Sequence, residues 1–111
     1  MLKIMQDGTI QLTRGDTARL TVSITNEFDN EEYAMQSGDT LVLSVKKNVN
    51  DTEVLLKKVL KGTNTFHIEP KDTAKMKFGQ YKYDVQLTTA GGDVYTVIVP
   101  TTFEITAEVT S

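Results

Sequence analysis

Arg19-Leu20-Thr21-Val22-Ser23-Ile24-Thr25 alternates without a break between polar and apolar side chains. A period of two puts Leu20, Val22 and Ile24 on one face of an extended chain, and Arg19, Thr21, Ser23 and Thr25 on the other. That is the pattern of a strand with one face in a core and the other in water. Working outward, Leu41, Leu43 and Val45 alternate with Val42, Ser44 and Lys46, and Tyr81, Tyr83, Val85 and Leu87 alternate with Lys82, Asp84, Gln86 and Thr88. Thr, Val and Ile together supply 34 of the 111 residues, and such β-branched side chains suit a pleated, half-buried surface better than a helix. The sequence reads as all-β.

Shorter runs fill in the rest. Leu2 and Ile4 precede Asp7-Gly8, a tight-hairpin dipeptide, with Ile10 and Leu12 on its far side. Residues 26–36 are acidic and poorly patterned, so they read as a loop with a short strand near Tyr33. Residues 54–60 alternate less cleanly but are short enough for a strand. Gly62-Thr63-Asn64 is a turn, Phe66 and Ile68 mark a strand that Pro70 ends, and residues 71–78 allow one helical turn capped by Asp72. Ala90-Gly91-Gly92-Asp93 reverses the chain into a strand over residues 94–99. Pro100, lacking an N–H, is expected at a bulge or an edge, and Phe103 and Ile105 close the last strand. About seven to nine strands at this spacing imply an immunoglobulin-like, two-sheet antiparallel β-sandwich in a single domain over residues 1–111. Such domains often carry a tyrosine two residues before the second disulfide cysteine. Tyr81 fits the tyrosine and Tyr83 takes the cysteine position, so packing replaces the disulfide.

Composition narrows the function. With 39% hydrophobic and 24% charged residues the chain is ordinary globular material, and its net charge of −3 argues against nucleic-acid binding. The absence of cysteine excludes disulfides, thiolate-metal sites and cysteine catalysis. No apolar run is long enough for a membrane helix, and Met1 to Gln6 lacks the apolar stretch of a secretory leader, so no signal-peptide export is expected.

Chemistry-bearing residues are few. His67 is the single histidine and has no nucleophile motif near it, so it reads as a partly exposed strand position. Asp16, Asp39, Asp72, Asp84 and Asp93 fall at turns or strand ends, and Asp29-Asn30-Glu31-Glu32 comes nearest to a calcium loop without its ligand spacing. Arg14-Gly15-Asp16 spells a cell-adhesion tripeptide but reads as a turn in which Arg14 pairs with Asp16. Gly15-Asp16-Thr17 and Gly38-Asp39-Thr40 are similar turns, each suited to an aspartate that accepts backbone N–H groups. Lys46-Lys47, Lys57-Lys58 and Lys61 have no aromatics among them and read as a solvated face or the guard of a sheet edge. No enzyme activity, cofactor or metal is expected.

Ile10-Gln11-Leu12-Thr13-Arg14-Gly15-Asp16-Thr17-Ala18 resembles the opening of the N-terminal immunoglobulin-like domain of phage baseplate upper proteins, from phages and prophages of Gram-positive bacteria. Gly38-Asp39-Thr40 with Val45-Lys46-Lys47 is similar to a later segment of that domain. So are Asp72-Thr73 followed by Gly79-Gln80-Tyr81-Lys82-Tyr83-Asp84-Val85-Gln86-Leu87, and the closing Phe103-Glu104-Ile105 and Glu108-Val109-Thr110. The matches keep their order over nearly the whole chain. The resemblance implies a virion structural protein of a phage or prophage tail, assembled in the host cytoplasm, that docks on other baseplate or tail proteins and on further copies of itself. Ending at Ser111, the chain lacks the segments that carry receptor-binding proteins in that family, so a docking or adaptor subunit is expected. The competing expectation is an immunoglobulin-like protein- or carbohydrate-binding module, with Tyr33, Tyr81, Tyr83 and Tyr95 standing in for tryptophan. Candidate contact surfaces are residues 1–6, the strand before Pro100, and the loop 26–36 with Met35.

Overall fold

A computed structural model of the chain describes residues 3–4, 8–25 and 31–107. It is mostly β, with eight strands and one four-residue helix: β1 (Lys3–Ile4), β2 (Ile10–Thr13), β3 (Ala18–Thr21), β4 (Thr40–Lys46), β5 (Leu56–Lys61), β6 (Thr65–Ile68), α1 (Pro70–Thr73), β7 (Gly79–Thr88) and β8 (Val94–Thr106). Six strands form one sheet in the order β1-β2-β8-β7-β4-β5, and β3 and β6 form a second. All pairs are antiparallel except β2 with β8, which run parallel from Ile10↔Phe103 to Thr13↔Thr106. The all-antiparallel expectation is corrected there. A parallel neighbour needs no hairpin, and the first full strand reaches the last one only through the fold.

The period-two pattern has done what it should. Leu41, Leu43 and Val45 of β4 and Tyr81, Tyr83, Val85 and Leu87 of β7 all face inward and are buried. Ile10 and Leu12 of β2, Phe66 and Ile68 of β6, and Phe103 and Ile105 of β8 join them in one cluster that draws on both sheets. Each large apolar side chain so buried contributes roughly 1.5–3 kcal/mol relative to exposure, against the cost of ordering the chain.

Several elements differ in extent from the sequence reading. The alternation through residues 19–25 outlasts its ladder: β3 ends at Thr21, yet Val22 is buried and its N–H bonds the Asn64 carbonyl at 2.9 Å. Burial follows the side-chain pattern, whereas pairing stops where β6 turns away. The last β1–β2 pair is Ile4↔Ile10, so that connection is wider than a two-residue turn; Asp7 lies outside the described residues. Near Tyr33 there is no strand but a single bridge, Thr25↔Glu32. Asp72 caps the helical turn from inside it: its carboxylate accepts the N–H of Glu69 at 2.7 Å, and Pro70 opens the turn.

β8 is one strand of 13 residues, bent twice. The pairs Tyr83↔Thr101, Val85↔Ile98 and Gln86↔Thr96 place an extra β8 residue at Val99-Pro100 and another at Val97. Pro100 thus falls at a bulge, where its missing N–H costs the ladder least.

Candidate functional site

The residues singled out by motif gather at two ends of the strands and on the outer face between them. At one end, Gly38 and Asp39 lead into β4. Asp39 is 2% exposed, and its carboxylate accepts the Tyr33 hydroxyl at 2.5 Å, the Gln36 N–H at 2.9 Å and the Ala90 N–H at 3.1 Å. Its carbonyl accepts the Gly62 N–H at 2.9 Å. One aspartate therefore ties together the loop before β4, the β5–β6 turn and the β7–β8 turn. The Tyr33 hydroxyl and the backbone N–H of Gln36, more than burial opposes, hold the Asp39 carboxyl below its usual range, with Ala90 adding to them; the same bond pushes the Tyr33 phenol up. A Cβ on Gly38 would lie 2.5 Å from the Ala90 Cβ, so the close approach of these two loops requires glycine.

At the other end, the turn after β2 docks on α1. The Gly15 N–H donates to the hydroxyl of Thr73 at 2.9 Å, and Thr73 is fully buried. The Arg14 guanidinium lies 4.2 Å over the half-exposed ring of Phe78, a cation–π contact that covers it. Asp16 is half-buried, with its N–H on the Thr13 carbonyl at 3.1 Å, and Thr17 is exposed. Asp72 pairs with Lys58 at 2.7 Å. Burial opposes ionisation of Asp72, but the Lys58 ammonium and the Glu69 N–H outweigh it and hold the carboxyl low. Gly79 opens β7 at φ +137°, a backbone region that favours glycine. From there Tyr81 turns inward, its hydroxyl donating to the Lys77 carbonyl at 2.6 Å and its ring lying under the Lys47 ammonium at 4.7 Å.

Between these ends, the Tyr83 ring meets Phe103 edge-on at 6.0 Å, and its hydroxyl donates to the Gly8 carbonyl. Asp84 points to the outer face opposite Ser44; burial pushes its carboxyl up, with Lys46 partly offsetting that. Beside it is a shallow hollow of about 50 Å³ lined by Ser44, Lys46, Val49, Lys82, Asp84 and Pro100. Drug-sized ligands occupy several hundred Å³, so this hollow suits a water or two. On the same face Glu104 accepts Gln11 at 2.6 Å and Gln80 at 3.4 Å, stitching β2, β8 and β7.

Asp39, Asp72 and Tyr81 each bond to the protein's own chain. Asp39, Asp72 and Asp84 each meet different partners, and no group of three or more His, Asp or Glu among the described residues could hold a metal ion. His67 is exposed on β6 opposite Arg19. Lys57, Lys58 and Lys61 lie on β5, which is an edge of the large sheet. Of the four tyrosines, Tyr81 and Tyr83 are buried and Tyr33 is bonded to Asp39, leaving Tyr95, 54% exposed, as a stacking surface. Met35 packs against the core and is not a free surface, while residues 1–2, 5–7, 26–30 and 108–111, with Asp29 and Asn30 of the acidic loop, lie outside the described residues. Tyr33, Thr73 and Ala90 were not legible as partners of Asp39, Gly15 and Gly38. Their separations in sequence run up to 58 residues, and nothing local marks them. Among the described residues no helix is long and apolar enough to cross a membrane.

No protein-family model matches the chain, and no curated protein matches it.

Proposed function

We propose that this chain is a non-catalytic structural subunit of a phage or prophage tail baseplate, an immunoglobulin-like β-sandwich that docks on other tail proteins in the virion. One observation carries the reading: the segments that resemble baseplate upper proteins are the ones tied into the frame. Asp39 joins three connections, Thr73 receives the Arg14-Gly15-Asp16 turn, and Tyr81 is tethered to Lys77. The motif residues thus hold the shape, and the outer face and strand edges are left for contact. The shared core of the two sheets and the Tyr81 tether both favour the sandwich, since a tyrosine bonded a few residues upstream is a mark of such domains. Many weak contacts repeated around a tail add up through multivalency, so no single pocket is needed.

Immunogold electron microscopy of particles induced from the source strain tests this, with antibody raised against the chain. Gold concentrated at the tail tip is expected. Intact particles without label would overturn the proposal and bring forward the binding module, whose glycan array should then show signal lost in Tyr95→Ala.

A further inference from the structure

The outer face of the large sheet carries two lysines on one rung. Lys46 of β4 is the register partner of Lys82 of β7, and both alternate with the buried Val45, Tyr81 and Tyr83. Like charges set directly opposite each other weaken a sheet. Among the described residues neither lysine forms an ion pair, and the Lys82 ammonium donates to the neutral Thr102 hydroxyl at 3.2 Å. Lys57 of β5 adds a third cation to this face, opposite Ser44.

Beside the rung is the hollow of about 50 Å³, next to the bulge at Val99-Pro100. Its walls sort by chemistry. Lys46, Lys82 and the Ser44 hydroxyl offer donors, Val49 and Pro100 are apolar, and Asp84 is the one acid among the lining residues. Lys46 is close enough to Asp84 to favour its charge, so one carboxylate stands against two ammoniums. Glu104, the acid on the next rung, is occupied by Gln11 and Gln80. Positive charge is therefore left over here, in a chain whose net charge is −3. Salt hides charges more than about 8 Å away at physiological strength, so the local pair decides what settles on it.

Size and walls select further. The hollow is too small for a whole small-molecule ligand but admits the tip of one side chain. An aspartate or glutamate suits both kinds of wall, its methylenes against Val49 and Pro100 and its carboxylate between the ammoniums. A phosphate would bring a second negative charge towards Asp84. It would also find no backbone N–H to bind, because β4 and β7 are each paired on both sides.

We propose that Lys46 and Lys82 form a docking site for an acidic side chain, aspartate or glutamate, presented by an exposed acidic segment of a partner protein. The inference stands on the lysine pair and goes beyond the tail reading; the purified chain answers it and labelled particles answer the other, so each can fail alone.

Titration of the isotope-labelled intact chain with a capped hexaglutamate peptide, followed by amide chemical shifts, tests it. Saturable shifts centred on residues 44–46 and 82–84 are expected. Lys46→Gln and Lys82→Gln should each weaken binding about threefold. Their urea midpoints should hold or rise, because a repulsion has been removed. Asp84→Asn should tighten binding, and Lys61→Gln, at the far end of β5, should leave it unchanged. Absence of saturable shifts overturns the proposal. So does a loss of stability in both lysine variants, since the pair would then serve the fold. Shifts spread evenly over the lysines, or an equal loss in Lys61→Gln, overturn it as unspecific attraction. Inorganic phosphate giving the same shifts at equal ionic strength, or self-association through these lysines without peptide, names a different occupant and also overturns it.

Discussion

The hydroxyl of Tyr81 donates a 2.6 Å hydrogen bond to the carbonyl of Lys77, four residues before it, and so closes the bend between α1 and β7. The ring is 5% exposed, and its core contacts do not depend on the hydroxyl. Tyr81→Phe therefore isolates the bond. Leaving the Lys77 carbonyl without its partner should cost about 1–2 kcal/mol. Urea unfolding should show a lower midpoint at unchanged slope.

Gly38 faces Ala90 across a gap that a new Cβ would reduce to 2.5 Å. Gly38→Ala is expected to destabilise by about 1–3 kcal/mol through overpacking. The double variant Gly38→Ala with Ala90→Gly should recover most of that loss, because the clash is between these two atoms. Two additive effects would mean that backbone conformation, not the contact, is what glycine supplies.

Asp39 makes stability depend on acid. Its carboxyl is lowered first by the Tyr33 hydroxyl and then by the Gln36 N–H, against the opposing effect of burial, with the Ala90 N–H added. The unfolded chain therefore binds the proton more readily, and the stabilisation is full above the ordinary carboxylate range. It is lost as pH falls through the lowered folded value. Asp72 works in the same direction. Asp39→Asn should be less stable near neutrality and show a flatter decline on acidification, read from denaturant midpoints across the acid range.

Asp84 has the opposite sign. Burial raises its carboxyl, with Lys46 offsetting part, so its contribution is present below the unfolded carboxylate value and lost as pH rises through the raised folded one. Asp84→Asn should be more stable than the parent near neutrality, by at most about 0.5 kcal/mol for so open a site. In strong acid the difference should vanish. Paired denaturation curves at the two conditions check both statements.

Which parts of this structure could be read in advance follows from the range of the forces involved. Alternation is local, so the inward faces of β4 and β7 were legible from Leu41, Leu43 and Val45 and from Tyr81 to Leu87. Pro100 announced its bulge because a missing N–H is a covalent fact. The lysines of β5 read as either a solvated face or an edge guard, and β5 stands at an edge of the large sheet, where an ammonium row resists a second strand. The sequence marks Asp72 as a cap, but it serves from the third helical position, because Glu69 at the N-cap and Asp72 divide that task and only the folded geometry assigns it.

By itself, then, the sequence determined the β character, the turns near Gly15, Gly38, Gly62 and Gly91, and the identity of the buried face, all of which depend on neighbours a few residues apart. Tertiary structure alone decided that β2 runs parallel beside β8 and that Asp39 meets Tyr33 and Ala90. It also decided that Thr73 receives Gly15 and that Lys46 stands opposite Lys82. Each of these joins residues with no mutual signal in the chain. They meet because burying one apolar face against another leaves few arrangements of the strands, and polar groups at the ends bond with whatever that arrangement brings near.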